Sequence, residues 1–384
     1  MKKIEILDST LREGQQAVHP LRSSQAIILT RKQQIMIAKL LIDFGIDYIE
    51  IGSPVRSPYA FQTAKTIIQL PRKNTKILIH CRCRKEDIDP ALELNPDGIN
   101  LFIGTSRQNL RGQDKIFSDA LKLAKDSVAY LRSQNKKIFL RISPEDAFRT
   151  TSSDLTRFVN VFKHKADRIG LPDTTGMTTP EDVYAVVKLV GKIKERNMDL
   201  EFHAHNDREL AVANCRSAWL AGVTVLNSTI LGIGERNGVP SLSALIAAFY
   251  LEDSELMEKK YNLKLLPLID KKLAKMIGIE IPHNIPITAP GAFSHVSGVH
   301  VKSMIKNNES YQVLNPKKFG RKTRLFICSS VIGKAAVSAQ ARRQKIRLSK
   351  DQASKTADQI RESARRLGTM SARRVNELIF ANNK

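Results

Sequence analysis

Cysteine is scarce: four in 384 residues, at Cys81, Cys83, Cys215 and Cys328. That number and scatter exclude a disulfide framework, and Cys81-x-Cys83 reads as strand core and rim rather than as a metal site. A reduced cytoplasm is the expected compartment. Tryptophan occurs once and aromatics make up 6% of the chain, which leaves few rings for stacking on bases. No apolar run approaches the roughly 20 residues that cross a bilayer. No signal peptide, membrane association, internal repeat or low-complexity tract is expected. Acid is also in deficit, with 38 Asp and Glu against 62 Lys and Arg, a net charge of +24. From Lys317 to Lys384 there are 18 basic and 4 acidic residues, so this stretch alone carries +14. Three readings compete for that charge: a solvated helix face, steering of polyanionic substrates, and nucleic-acid binding. The last lacks interleaved aromatics and any recognised motif, so nucleic acid is not an expected partner.

What is present is a rhythm. Apolar, mostly β-branched runs recur at Ile4–Leu7, Tyr48–Ile51, Ile77–Ile79, Ile99–Ile103, Ile138–Ile142, Arg168–Leu171, Leu200–His203 and Val225–Leu231. Between them lie stretches of helical period, among them Gln33–Phe44, Phe117–Leu131, Pro180–Arg196 and Leu210–Ala221. Eight strands alternating with helices spell an α/β fold of the (β/α)8 TIM-barrel type over residues 1–250. Residues 251–384 read as a linker and a mostly helical C-terminal region, with Lys259–Ile277 helix-rich and Pro282, Pro286 and Pro290 marking irregular chain.

Polar loops fall at the strand C-terminal ends, where such barrels place their chemistry. In Leu200–Asp207, His203 and His205 are two apart on a strand end and share one face. They read either as ligands of one metal ion or as two hydrogen-bonded histidines. In Asp8–Gln16, Glu13 would complete a two-histidine, one-carboxylate site, and Arg12 would meet a substrate carboxylate with its planar fork. The plainer reading of that loop is an exposed polar turn.

Four motifs in order, Asp8–Gln16, His203-x-His205-Asn206-Asp207, Gly232–Gly238 and Phe293–His300, resemble the homocitrate synthase and 2-isopropylmalate synthase family of metal-dependent Claisen condensation enzymes. The similarity runs from about residue 3 to about residue 345. It implies one divalent metal per subunit (Zn, Mn, Mg or Co) on Glu13, His203 and His205, with acetyl-CoA and a 2-oxo dicarboxylic acid as substrates. Arg12, Gln16, His80, Arg141, Ser143 and Thr174 would bind substrate, and Arg12, Glu145, His300 and Tyr311 would be catalytic. His300 would take the methyl proton of acetyl-CoA, assisted by Glu145 and Tyr311, and His295 would be structural. The family supplies this base in trans, so a homodimer with shared active sites is expected.

Arg141 and Ser143 resemble the homocitrate-type pair for the distal carboxylate of 2-oxoglutarate, which would place the chain at the first step of aminoadipate-type lysine biosynthesis. An unpaired guanidinium against an isopropyl group would be costly. A salt bridge from Arg141 to Glu145 or Glu201 is the structural alternative. Formation of 2-isopropylmalate, citramalate or citrate is the alternative activity. Gln15, where an acid is usual, Arg208-Glu209, where a small or glycine-containing turn is usual, and Pro172 and Ala147 depart from the homocitrate-type pattern. The stretch after the similarity is too short for a leucine-sensing domain, so none is expected.

Overall fold

The structure is a computed structural model that describes residues 3–325, 330–368 and 370–383; Cys328 lies outside the described residues. Strands β1 (Glu5–Asp8), β2 (Tyr48–Ile51), β3 (Lys76–Arg82), β4 (Gly98–Gly104), β5 (Phe139–Glu145), β6 (Arg168–Asp173), β7 (Asp199–Ala204) and β8 (Val225–Ser228) run parallel and close on themselves. β1 pairs with both β8 and β2. This is the expected barrel. Strand β8 stops three residues short of the sequence reading. The Ile230 N–H donates to the Thr10 hydroxyl at 2.8 Å, and Leu231 turns to a φ of +60°, so the chain leaves the sheet to fold over the mouth.

Local chemistry sets the helix limits. Helix Arg31–Phe44 starts at Thr30, whose hydroxyl accepts from the Gln33 N–H while the Gln33 side chain returns a bond to the cap, and it ends at Gly45 with φ +88°. Helix Pro180–Ile193 starts in the same way at Thr179 and Asp182. It ends before Arg196 because Lys194 takes an extended conformation.

Inside the barrel, alternate residues of each strand face inward. At the strand starts they are apolar: Leu7, Tyr48, Leu78 and Val225 pack together with Phe139. One layer up they are polar and equally buried: Glu50, Asn100, Arg141, Arg168, Glu201 and Asn227 are each at most 2% exposed. Arg168 bridges the layers, its guanidinium 4.4 Å from the Tyr48 ring centre and 4.9 Å from that of Phe139, with one nitrogen 3.0 Å from Glu201. Ions this deep are tolerated only when paired. Cys81 and Cys83 are buried; burial, with Asp87 nearby, pushes the Cys83 thiol up to about 12. They are core groups.

Two compact units divide the chain, Met1–Thr288 and Ala289–Lys384. The first extends past residue 250, the limit read from sequence, because the following segment packs on the barrel's starting end. Lys260 donates to the Ile4 carbonyl at 2.6 Å and pairs with Asp47 at 2.7 Å, while Tyr261 stacks on Phe44 at 5.3 Å. The second unit joins Ser294–His295 to Arg324–Leu325 as a parallel pair. Its helices Gly298–Lys306, Lys334–Arg343, Lys350–Leu367 and Ala372–Ala381 share a core of Val301, Val337, Ile360, Val375 and Ile379.

Candidate active site

The site sits at the C-terminal ends of the barrel strands. β7 carries His203, and His205 follows it on the same side. Asn227, inward on β8, places its carbonyl oxygen 3.3 Å from His203 Nδ1, and its amide donates to Glu201 at 2.8 Å. The amide orientation fixes the histidine tautomer: Nδ1 carries the proton and Nε2 is bare. That bare Nε2 lies 3.4 Å from His205 Nε2 and 3.5 Å from a Glu13 oxygen.

Glu13, His203 and His205 are all buried, with one ligand atom from each lying within 4.8 Å of the others. The other Glu13 oxygen and His205 Nδ1 have no hydrogen-bond partner. Two imidazole nitrogens and a carboxylate converge here, and the donor set fits a single divalent ion. Charge states agree. Burial, with Arg12 adding, pushes His203 down to about 3, and burial also lowers His205. Burial works to raise Glu13, but Arg12 and the two histidines outweigh it and hold that carboxyl at about 2. Neutral imidazoles and an ionised carboxylate are the forms that bind metal.

Arg12, on the short helix Thr10–Glu13, contacts Glu13 and donates from Nε to Glu50 at 2.7 Å. Glu50 also accepts from the Asn100 amide at 2.7 Å and contacts His80 Nδ1 at 3.2 Å. His80 stacks on Phe102 with ring centres 4.3 Å apart. Arg141 pairs with Glu201 at 2.9 Å and lies 3.7 Å from Glu50, so the ion pair anticipated with Glu201 exists. It does not saturate the guanidinium: Arg141 Nε and one terminal nitrogen have no hydrogen-bond partner, and neither has Ser143 Oγ. Gly170 makes this possible, since a Cβ there would fall 2.1 Å from Ser143 Oγ and 2.5 Å from Arg141 Nε. The Thr174 hydroxyl accepts from the Asp146 N–H at 2.9 Å, which leaves its own proton to donate.

A cavity of about 160 Å³ is lined by Arg12, Glu13, Gln16, His80, Arg141, Ser143, Glu145, Thr174, His203 and His205. All ten barrel residues singled out from sequence therefore meet in one place. Burial, with Asp146 beside it, raises the Glu145 carboxyl above the usual range. His300 and Tyr311 belong to the second unit, where their rings stack with centres 3.9 Å apart.

Glu50, Asn227, Glu235 and Arg236 were not singled out from sequence. Glu50 could have been: a carboxylate at an inward position of an apolar strand must find cations. Arg236 lies in the Gly232–Gly238 motif, but its role was not legible there, for it lines the cavity through a bidentate pair with Asp207 (2.9 Å to each oxygen) and a 2.7 Å bond to the Thr174 carbonyl. The departures noted in the sequence have local accounts. Glu209 takes a φ of +57°, the left-handed conformation that explains why a glycine suits this turn, at a cost of about 1 kcal/mol. Arg208 donates to the Met177 carbonyl at 2.8 Å. Gln15 donates to the Leu11 carbonyl at 2.7 Å, and Pro172 lines the cavity.

With this geometry in place, similarity to known proteins becomes decisive. The HMGL-like family profile matches residues 3–272, and the "Homocitrate synthase post-HMGL domain-like" profile matches residues 287–367. The mitochondrial homocitrate synthase of Schizosaccharomyces pombe is 36% identical over 368 residues, 95% of this chain and 85% of that one. The chain belongs to the homocitrate synthase family. The homocitrate synthase of Sulfolobus acidocaldarius is 34% identical over 354 residues, 90% of this chain and 72% of that protein. Among solved structures, the hydroxymethylglutaryl-CoA lyase of Pseudomonas aeruginosa superposes with a TM-score of 0.61 at 18% identity, over 73% of this chain and 95% of that one. At that identity it attests the barrel fold that homocitrate synthases share with the lyases, and nothing finer.

Proposed function

We propose that this chain condenses acetyl-CoA with 2-oxoglutarate and hydrolyses the resulting thioester, giving homocitrate and CoA, the first step of an aminoadipate-type route to lysine. The observation that carries the choice of acceptor is the unsaturated side of Arg141, two buried N–H groups and the Ser143 hydroxyl without partners. A carboxylate can accept from Arg141 Nε and the Ser143 hydroxyl, which lie together beside Gly170, whereas an apolar substituent would leave them desolvated at a cost of about 1–3 kcal/mol each.

Glu13, His203 and His205 would hold that ion, with Zn, Mn, Mg and Co all compatible with the ligand set. Bound there, it supplies Lewis-acid polarisation of the keto acid. Arg12, fixed by Glu13 and Glu50, directs its remaining N–H groups at the alkoxide that develops on the former keto oxygen. Arg141 and Ser143 hold the distal carboxylate, and Thr174, His80 and Gln16 orient the rest of the acid. His300 takes a methyl proton from acetyl-CoA, and the C–H electron pair, delocalised into the thioester carbonyl, attacks the keto carbon. Glu145, whose carboxyl burial raises above the usual range, assists, and Tyr311 braces the His300 ring. Water then cleaves the thioester and releases CoA.

His300 and Tyr311 act from a second copy of the chain, in a homodimer with shared active sites. The segments that carry them also expose apolar side chains, Val296 at 45%, Val299 at 66% and Val313 at 83%, surface of the kind that an interface covers.

CoA release with a divalent metal and 2-oxoglutarate, oxaloacetate, pyruvate or 2-oxoisovalerate tests the acceptor. Preference for 2-oxoglutarate, with kcat/KM falling on the order of 100-fold or more in Arg141→Ala, is the expected outcome; preference for a monocarboxylate would overturn it. Mixing inactive Arg12→Ala and His300→Ala chains tests the sharing. Statistical reassortment should restore about a quarter of wild-type activity, and no recovery from exchanged dimers would show that each chain serves its own site.

A further inference from the structure

His295 takes no part in the reaction as described, yet its surroundings are those of a functional imidazole. It lies on the short strand Ser294–His295, five residues before His300. The two rings meet edge to face, with centres 6.4 Å apart and planes at 73°, while Tyr311 stacks on the His300 ring. The Gln312 side chain hydrogen-bonds the His295 ring, and the Gln312 oxygen accepts from the Thr323 hydroxyl at 2.9 Å. His295 is therefore oriented from behind by an amide that is itself held. Its Nε2 is buried and has no hydrogen-bond partner, an arrangement that costs stability unless something occupies it.

We propose that His295 is a positioning residue for His300: its bare Nε2 accepts the N–H of the His300 ring through one water when His300 carries the methyl proton. The inference rests on the reading of His300 as the base. The proton leaves the methyl carbon for one ring nitrogen of His300, and the electron pair stays with the carbanion. The other His300 N–H donates toward His295 Nε2, and the pair gains only the methyl proton, which stays on His300. Among the described residues of the second unit neither imidazole has a carboxylate partner. The groups around them are Tyr311, Gln312 and, across the strand pair, Arg324 opposite Ser294. A neutral histidine thus does the orienting that an aspartate does in other base-containing sites. Burial lowers the proton affinity of His295 against the Gln312 hydrogen bond, which raises it, and the neighbouring His300 lowers it further.

Two variants of the full-length, metal-loaded enzyme separate this role from a structural one. His295→Gln keeps a polar atom near the place of Nε2, whereas His295→Asn keeps only the contact to Gln312. The expected result is that His295→Asn lowers kcat about tenfold, leaves KM for the keto acid unchanged, and moves the acidic limb of the kcat profile by at least half a pH unit to lower pH, with His295→Gln recovering most of both. An unmoved limb, or equal losses in the two variants that follow their melting temperatures, would overturn the proposal. His300→Ala is the separate control: substantial turnover there would sink the reading of the base itself, whatever the His295 variants do.

Discussion

Charge is handled in opposite ways by the two ends of this chain. Inside the barrel, three arginines and three glutamates are almost wholly out of water, and each finds an opposite charge within 4 Å. In the second unit cations far outnumber acids over residues 317–384, and Arg365 and Arg366 lie exposed. Where water is excluded, a charge must be matched, and matching fixes geometry; where water remains, charge sets a field and little else. The barrel charges therefore position chemistry. Those of the second unit, such as Arg365 and Arg366, stay in water, where salt screens them.

The comparison fails first if a barrel charge proves dispensable. Glu50→Ala would strip Arg12, His80 and Asn100 of their shared acceptor and should cost about 3–5 kcal/mol in urea unfolding, together with turnover; a loss below about 1 kcal/mol would mean that these charges behave like surface ones. A smaller effect is expected at Asp8, a fully buried carboxyl at the end of β1 with one oxygen lacking a partner. Burial, with Asp270 adding, raises it to about 7. Between pH 4 and pH 7 the unfolded chain ionises this group and the folded one does not, so stability falls as pH rises through that window, by on the order of 2–4 kcal/mol. Asp8→Asn should then melt higher than the parent at pH 8 and near it at pH 4, and equal melting at pH 8 would count against a buried charge penalty. The smallest effect belongs to the second unit. Replacing Arg365 and Arg366 with glutamine should change stability by less than about 0.5 kcal/mol and reduce kcat/KM for acetyl-CoA a few-fold at low salt only.

Much of the site was legible because its chemistry is written in local patterns. His203 and His205 declare a shared face by their spacing alone, and Glu13 and Arg12 sit in a loop whose position follows from counting strands. Glu50 was harder, since a single acid in the strand Tyr48–Ile51 gives no hint that Arg12, His80 and Asn100 will all turn to it. The role of Gly170 was invisible, because it depends on Arg141 crossing from the neighbouring strand. Segment 251–288 was grouped with the C-terminal region for a similar reason: its helical period says that it buries a face, and only Lys260, Asp47 and Phe44 show which partner it buries that face against.

By itself the sequence determined the barrel and, through the resemblance its ordered motifs carry, the three candidate metal ligands and the reaction class, since period, spacing and motif order are properties of the chain taken in order. The tertiary structure alone decided which charges are paired, how far Arg141 is used by Glu201 and how far it stays free, and that His295 rests its edge on His300. Those facts depend on distances between residues remote in sequence, and in a desolvated interior such distances decide both protonation and which hydrogen bonds remain to be made.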